Sequence, residues 1–393
     1  MIWKKELSTS NSIIKMNTID ILSKLVSFKT ISELTNKDLA KYISGYLAKY
    51  NIKTQLFEGN PGQFNLYAKI GPDVDGGIIL SGHTDVVPTE GQNWMTNPFE
   101  LVKKKNKFFG RGSCDMKGFI AVVLALIPKL KITKLKKPLH LIFSYDEEIG
   151  CVGIQKLIPF LKKIKPKPVF CIVGEPTEMK LVNMHKGKKN FIVLFKGIES
   201  HSSLIENGVN AIDYCGDFIN FLKNLQNKLI KTKHHKKFDP PYPTINIGKI
   251  QGGLAVNIIP ENCELEFEIR DTPNLNTEKI INEIKIFLKK TEKKMKEKNK
   301  KCSVNLKILN NFPPLETNEK KKIINLALEK LKSNSISSVS FGTEAGVFNK
   351  VGFETIVCGP GSIEQAHKPN EYIEEKQLKK CDEFLTKIID FLY

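Results

Sequence analysis

Two residues at the end of an apolar run, His83 and Asp85, could carry chemistry. The run Ile78–Ser81 has the length and composition of a buried β-strand, and residues i and i+2 of a strand point to the same side. Asp85 could therefore orient the His83 imidazole, as carboxylates commonly do for metal-binding histidines. Because a His-x-Asp pair is also common in turns and caps, this pair alone does not define a site.

Further acidic or histidine clusters follow other apolar segments. They are Asp115 in the glycine-rich run 110–118, the run Asp146-Glu147-Glu148, Glu175 in Gly174–Thr177, and His367 in Gln365–Glu371. Each alone has an ordinary interpretation as a turn, a solvated loop or a surface histidine. Together, two histidines and three carboxylates would suit two divalent ions, most naturally zinc, with one aspartate bridging them. Two such ions lower the pKa of a water molecule and polarise a carbonyl group.

The elements that must position these residues alternate along the chain. Strands are predicted at Asn65–Ile70, Gly77–Ser81, Pro138–Ser144 and Val169–Val173, and helices within residues 18–50, from Lys117 to about Lys131, and at Gly153–Lys163. This alternation predicts an α/β fold with a mostly parallel sheet and helices on both faces. Ligands collect at the carboxyl ends of such strands, which is where the clusters fall.

A different order of elements begins after Gly187. From Phe191 to Leu309 the pattern is strand, helix, strand, strand, helix, strand, which is typical of a ferredoxin-like α+β domain. We therefore predict a catalytic domain formed by residues 1–187 and 311–393, with residues 188–310 as an inserted domain. A helix at Glu319–Lys332 would return the chain to the first domain.

Composition excludes several classes of protein. The 393 residues carry a formal net charge of +19, but only Arg111 and Arg270 of the 61 basic residues are arginines. Nucleic-acid readers depend on arginine for bidentate and stacked contacts, so nucleic-acid binding is disfavoured. No apolar run approaches the roughly 18–20 residues that a membrane span needs. The first residues lack the apolar core of a secretory signal, which predicts a cytoplasmic location. The eight cysteines show no C-x-x-C spacing and are expected to be buried free thiols.

The motifs, taken in order, resemble those of the co-catalytic zinc amidohydrolases. This metallopeptidase family includes acetylornithine deacetylase, succinyl-diaminopimelate desuccinylase, carboxypeptidase G and aminoacylase. The matching runs are S-G-H-T-D-V-V-P, G-R-G-S-C-D-M-K-G, D-E-E, G-E-P-T and A-H-x-x-N-E. The resemblance covers the chain after about residue 18, including the inserted domain, which in this family serves as a lid and a dimerisation domain.

The resemblance implies a role for each residue. His83 and Glu175 would hold one ion, Glu148 and His367 the other, and Asp115 would bridge them; the ions are expected to be zinc, with cobalt as a substitute. Glu147 would be the general base and Asp85 would orient His83. His201 would reach the partner subunit's site in a homodimer and stabilise the oxyanion.

Closer features favour N-acetyl-ornithine as the substrate, an N-acyl amino acid whose hydrolysis would serve arginine biosynthesis. Arg270 matches the family arginine that binds the substrate carboxylate, Asn257 resembles a substrate contact, and Glu344 is the candidate for the substrate ammonium. Arg270 could instead be a structural ion-pair partner. N-succinyl-diaminopimelate or another N-acyl amino acid stays an alternative substrate, and a binding module without activity is disfavoured by the intact ligands and base.

Overall fold

The computed structural model of the chain describes residues 16–232 and 234–393. The expectation that the first residues carry no secretory signal concerns a stretch outside the described residues. Within the described ranges, no helix combines the length and apolar character that crossing a bilayer would require.

The chain alternates between helices and strands over most of its length. The helices are α1 (Thr18–Ser27), α2 (Lys37–Ala48), α3 (Lys117–Leu126), α4 (Val152–Lys156), α5 (Ile158–Leu161), α6 (Ala211–Thr232), α7 (Thr277–Lys298), α8 (Lys322–Leu331), α9 (Ala345–Val351) and α10 (Glu375–Ile389). The strands are β1 (Thr54–Glu58), β2 (Phe64–Ile70), β3 (Ile78–His83), β4 (Val102–Lys104), β5 (Lys107–Phe109), β6 (Leu139–Ser144), β7 (Phe170–Pro176), β8 (Leu181–His185), β9 (Gly187–Lys196), β10 (Thr244–Gly252), β11 (Asn262–Asp271), β12 (Ser303–Phe312), β13 (Leu315–Glu316), β14 (Ile336–Val339), β15 (Glu354–Gly359) and β16 (Tyr372–Glu374).

A large sheet forms the centre of the first domain. Among the described residues its strand order is β1-β2-β6-β3-β7-β15-β8-β13, with β14 paired to β8. The central strands β6, β3, β7 and β15 run parallel, whereas β1, β2, β8 and β13 pair antiparallel at the margins. Every residue of β3, β6 and β7 is buried, as expected for parallel strands covered on both faces. The predicted α/β fold class is confirmed.

Helix α3 is the central helix of one face of this sheet. All ten of its residues are buried, because it lies against β3 and β7 and under α1 and α10. A helix that is apolar on every side is stable only when it is surrounded in this way. Its first residues follow Asp115, so the buried helix fixes the position of that carboxylate.

Two predicted helices are shorter than expected, and proline explains both differences. The helix expected to reach about Lys131 ends at Leu126 and continues as a 3₁₀ turn containing Pro128. The helix expected over Gly153–Lys163 is divided into α4 and α5 around Leu157. Pro159 has no N–H to donate to the carbonyl of Gln155, and its ring clashes with that carbonyl, so the helix breaks there.

The inserted segment forms its own sheet, with strand order β10-β11-β9-β12 and antiparallel pairing throughout its described residues. This is the strand order of a ferredoxin-like fold. Helices α6 and α7 cover one face, where Phe191, Phe195, Phe218 and Phe267 are buried. The opposite face is polar along β11, where alternate residues such as Glu268 and Arg270 point away from the core. The exact limits of the two domains stay a prediction.

Hydrogen bonds join the end of strand β12 to the segment between β6 and α5. Asn310 Nδ2 at the end of β12 donates to the carbonyl oxygen of Ile149 at 2.7 Å, and Gln155 Nε2 donates to the carbonyl oxygen of Asn311 at 2.7 Å. The inserted sheet is therefore bonded directly to the segment that follows Glu147 and Glu148.

All eight cysteines are buried and free. They are distributed between the two domains: Cys215, Cys263 and Cys302 belong to the core of the inserted domain, and Cys151 and Cys171 pack beneath the large sheet. The expectation of buried free thiols is confirmed.

Two buried histidines each contribute to the stability of the fold in a way that acid removes. Burial lowers the pKa of His140 and of His185 to about 4, below the value of about 6.5 in an unfolded chain. Because the unfolded state then binds more protons between these values, the contribution of each histidine to stability is nearly complete above about pH 6.5 and decreases as the pH falls. From pH 7 to 5 we expect each histidine to remove about 2 kcal/mol from the free energy of unfolding.

The measurement is urea unfolding at both pH values for the wild type and for His140→Gln. The variant should lose about 2 kcal/mol less than the wild type over this interval. An equal pH dependence in the two proteins would contradict the assignment to His140.

Candidate active site

The clustered residues meet at the carboxyl edge of the parallel strands. His83 is the last residue of β3, Glu175 lies near the end of β7, and Glu147 and Glu148 follow β6. Strands β6, β3 and β7 are neighbours in the sheet, so their ends bring these side chains together. Asp115 reaches the same edge from the start of α3.

One group of potential metal ligands consists of His83, Asp115 and Glu175. His83 Nε2 lies 3.0 Å from Asp115 Oδ1 and 3.8 Å from Glu175 Oε1. One ligand atom from each residue lies within 4.8 Å of the others, and all three residues are buried. A single ion could contact all three.

A second group shares Asp115 with the first. His367 Nε2 lies 2.8 Å from Glu148 Oε2 and 3.5 Å from Asp115 Oδ2, and these three residues also fall within 4.8 Å. Asp115 therefore presents Oδ1 to one group and Oδ2 to the other, which is the geometry of a bridging carboxylate. His367 comes from the loop between β15 and β16 and is half exposed.

Asp85 organises the site through three kinds of contact. Its carbonyl oxygen accepts from His83 Nδ1 at 3.0 Å, whereas its carboxylate Oδ1 is 3.5 Å from the same nitrogen. The carboxylate instead accepts from the backbone N–H groups of Glu147 (3.0 Å) and Glu148 (3.3 Å), and from the Ser32 hydroxyl (2.8 Å). The backbone contact orients the imidazole so that Nε2 faces Asp115 and Glu175, and the carboxylate fixes the two glutamates.

The carboxylates repel one another strongly. Burial, together with the neighbouring Glu148, Asp85 and Asp115, raises the pKa of Glu147 to about 8. Burial and Asp115 raise the pKa of Glu148 to about 7, and burial raises that of Glu175 well above its ordinary value. Burial alone would lower the pKa of His83, but Glu175, Asp115 and Asp85 together raise it well above 6.5.

These residues fit divalent cations. Glu175 Oε1 is buried without a hydrogen-bond partner among the described residues, and an acceptor in that condition is destabilising unless something binds it. Imidazole nitrogens and carboxylate oxygens are suitable ligands for zinc. Positive charge between the two groups would also relieve the repulsion that raises the carboxylate pKa values.

His201 and Asn257 lie together in the inserted domain, away from the ligands. Both residues are exposed. The N–H of Ser202 donates to the Asn257 carbonyl oxygen at 3.0 Å, and His201 pairs with Ile258 in an isolated bridge. His201 Nδ1 lies 2.7 Å from the Ser203 hydroxyl. In the described part of this single chain, neither side chain forms a hydrogen bond or ion pair with a proposed ligand.

Arg270 and Glu344 occupy different environments. Arg270 is partly exposed on the polar face of the inserted sheet, where its Nε donates to Glu268 Oε1 at 2.8 Å. Glu344 is fully buried below the ligands and accepts from the hydroxyls of Ser81 and Ser144, each at 2.6 Å. Both Glu344 oxygens thus already have a hydrogen-bond donor.

Two further residues, Ser32 and Glu371, support the site without having been predicted from the sequence. Ser32 supports Asp85, and Glu371 accepts from the backbone N–H of Asp115 at 3.0 Å. Nothing in the sequence around Ser32 distinguishes it from other loop serines. The position of Glu371 could have been predicted, because it stands only four residues after the proposed ligand His367 and must lie near the site.

The sequence of the chain matches a known protein family. Residues 79–390 match the family described as peptidase family M20/M25/M40. The chain belongs to this M20 family. Its members are hydrolases, and the chain is a hydrolase of this family.

Curated M20 relatives align along almost the whole chain. Acetylornithine deacetylase of Buchnera aphidicola subsp. Acyrthosiphon pisum (strain Tuc7) is 33% identical over 380 residues, covering 95% of this chain and 97% of that protein. Acetylornithine deacetylase of Pasteurella multocida (strain Pm70) is also 33% identical over 380 residues, covering 94% and 97%. The predicted resemblance to this family is confirmed.

Solved M20 structures share the fold. The metallo-carboxypeptidase Sso-CP2 from Sulfolobus solfataricus has a TM-score of 0.77 at 19% identity, covering 95% of this chain and 98% of that one. The Bacillus subtilis YXEP protein, described as a dinuclear metal-binding peptidase, has a TM-score of 0.65 at 16% identity, covering 95% and 97%. At these identities the likeness concerns the fold alone.

Proposed function

We propose that the protein hydrolyses the amide bond of N2-acetyl-L-ornithine to give L-ornithine and acetate, a reaction that would serve arginine biosynthesis. The chemistry rests on one observation, the two ligand groups that share Asp115 beside Glu147. The substrate rests on full-length similarity to proteins named acetylornithine deacetylase.

His83 and Glu175 would hold one divalent ion and Glu148 and His367 the other, with Asp115 between them. Zinc is the proposed metal, with cobalt as a substitute, because the ligands are imidazole and carboxylate. When bound, the two ions would polarise the substrate carbonyl and make water more acidic.

Glu147 is the proposed general base. A carboxylate whose pKa is raised toward the operating pH both accepts and returns a proton efficiently, and burial raises the pKa of Glu147 above its ordinary value. Its carboxylate would take a proton from the attacking water and later deliver it to the leaving amine. Asp85 holds the Glu147 backbone N–H at 3.0 Å, which limits movement of the base.

We propose a homodimer in which the inserted domain of one subunit completes the partner's site. His201 is exposed and would donate to the developing oxyanion across the interface. Beside the adjacent Asn257, Leu254 and Val256 are 89% and 103% exposed. Large apolar side chains exposed together are typical of an interaction surface.

For the substrate itself, Arg270 is proposed to bind the α-carboxylate, with Asn257 as a second contact. Glu344 is proposed to attract the side-chain ammonium, and its burial means that this attraction would act through the Ser81 and Ser144 hydroxyls that it accepts from.

Arg270→Lys tests the carboxylate contact. A guanidinium can bind a carboxylate through two parallel hydrogen bonds, whereas an ammonium acts as a point charge. We expect KM for N-acetyl-ornithine to rise by about tenfold, the equivalent of one charge-assisted hydrogen bond, with kcat changed much less. Steady-state kinetics measure both values, and an unchanged kcat/KM would exclude the bidentate contact.

Glu344→Gln tests the ammonium contact. The variant keeps the shape of the side chain and one oxygen that can accept from a serine hydroxyl, but it removes the negative charge. KM for N-acetyl-ornithine should therefore rise, while KM for neutral N-acetyl amino acids stays constant. Parallel kinetics with both substrate types give the comparison. An equal loss on both would show that Glu344 supports the site in general and does not select the ammonium.

The proposed function is tested by comparing N-acetyl-ornithine with N-succinyl-diaminopimelate as substrates of the purified protein. Added zinc should support hydrolysis of the first, and a chelator should abolish it. Faster hydrolysis of the second would retain the metal site but overturn the substrate. If zinc binds and neither compound reacts, other N-acyl amino acids are the next substrates to assay.

A further inference from the structure

Glu371 is a buried carboxylate that holds the loop carrying Asp115. It accepts from four donors: Arg111 Nη1 at 2.8 Å and the backbone N–H groups of Gly112, Cys114 and Asp115 at 3.1, 2.9 and 3.0 Å. Only 1% of its side chain is exposed. The backbone of the bridging residue is therefore fixed by a carboxylate four residues away from His367.

Arg111 connects the same loop to the other histidine. Its Nη1 also donates to the Lys368 carbonyl oxygen at 3.3 Å, its Nη2 donates to Gln92 Oε1 at 2.5 Å, and its guanidinium lies 5.0 Å from the centre of the Trp94 ring. Gln92 Nε2 in turn donates to the His367 carbonyl oxygen at 2.9 Å. A continuous set of hydrogen bonds thus joins the backbones of Asp115 and His367.

The contacts explain why an arginine is present at this position. Lysine supplies 59 of the 61 basic residues of the chain, yet all three N–H donors of a lysine lie on one nitrogen, so lysine lacks the width of a planar fork. The planar guanidinium reaches Glu371, Gln92 and the Lys368 carbonyl together.

We propose that Glu371, Arg111 and Gln92 are positioning residues that set the separation of Asp115 and His367, and thereby the affinity for the metal ions. The inference rests on the proposed two-ion site and assigns residues beyond its ligands. Groups that orient metal ligands commonly change metal affinity by about 10- to 100-fold when they are substituted.

The variants are Glu371→Gln, which keeps the size but removes the charge, and Arg111→Lys, which keeps the charge but removes the planar fork. Each apoprotein is titrated with Co²⁺ against a competing chelator, and the visible absorption of bound Co²⁺ is recorded. We expect both variants to bind at least one ion about 10- to 100-fold more weakly than the wild type, with an altered Co²⁺ spectrum.

Breaking a buried ion pair also destabilises a fold, so loss of stability must be separated from loss of positioning. Ile324→Ala is the matched control, because Ile324 is fully buried in the core beside α10 and is not among the residues of the ligand groups. It should lower the unfolding midpoint of the apoprotein while leaving both Co²⁺ affinities and the spectrum unchanged.

Gln92→Ala keeps the inference testable if Glu371→Gln does not fold, because Gln92 is only partly buried. Its loss should weaken the ion held by His367 and Glu148 and spare the other. Wild-type affinities and spectrum in the folded variants would overturn the positioning role. If the wild type itself bound fewer than two Co²⁺ ions, the proposed function would be overturned instead.

Discussion

Glu147→Gln should lower kcat for amide hydrolysis by between about 100- and 10,000-fold, the usual contribution of a general base. The amide has the size of the carboxylate but cannot accept the proton of the attacking water at neutral pH. The five proposed ligands are unchanged, so the variant should still bind two metal ions. Steady-state kinetics combined with elemental analysis of the purified variant test both expectations together.

Asp146→Asn is the matched control for this experiment. Asp146 is the adjacent carboxylate in the sequence and is also buried, but it accepts from the backbone N–H of Glu33 at 2.8 Å and has no proposed catalytic role. Its substitution should affect kcat far less. A Glu147→Gln protein that retained more than about a tenth of the wild-type activity with two ions bound would contradict the general-base assignment.

His201→Ala should lower kcat by about 100- to 1,000-fold, the typical effect of removing one oxyanion donor. Since His201 is proposed to act in the partner's site, subunits with different defects should complement each other. A heterodimer of Glu147→Gln and His201→Ala subunits contains one site with both residues intact. It should recover about half of the wild-type turnover, because one of the two symmetric sites is restored.

Two affinity tags, one on each subunit type, allow the heterodimer to be purified away from the inactive homodimers. Gel filtration of the same sample reports the assembly state. A heterodimer as inactive as its parents would place His201 outside the partner's site, and an active His201→Ala homodimer would remove its catalytic role altogether.

Much of the two ligand groups could be predicted, because the end of a buried strand can be recognised from a short stretch of sequence. A buried apolar run identifies β3, β6 or β7, and the polar residues that follow it must lie at one edge of a parallel sheet. The predicted ligands His83 and Glu175 lie in one group for this reason, and Asp115 joins them from the start of α3. Their roles as metal ligands stay a prediction.

The hydrogen-bond partners could not be predicted in the same way. Glu344 meets Ser81 and Ser144 across 263 and 200 residues of sequence, and no local pattern specifies such a pair. Asp85 stands two residues from His83, yet its nearest contact to the imidazole is a carbonyl oxygen instead of the expected carboxylate. Periodicity predicts the side on which a residue lies, but the partner depends on which segments the fold brings there.

The burial of every cysteine makes this chain suitable for site-directed labelling. Burial raises the pKa of Cys114, Cys151, Cys171 and Cys381 well above the ordinary thiol value, and buried thiols of this kind react slowly with alkylating reagents. Since every native cysteine is buried, one new exposed cysteine on each domain would be labelled preferentially with a fluorophore pair. The distance between the dyes would then report, in solution and without removing any native cysteine, whether the inserted domain moves when substrate binds.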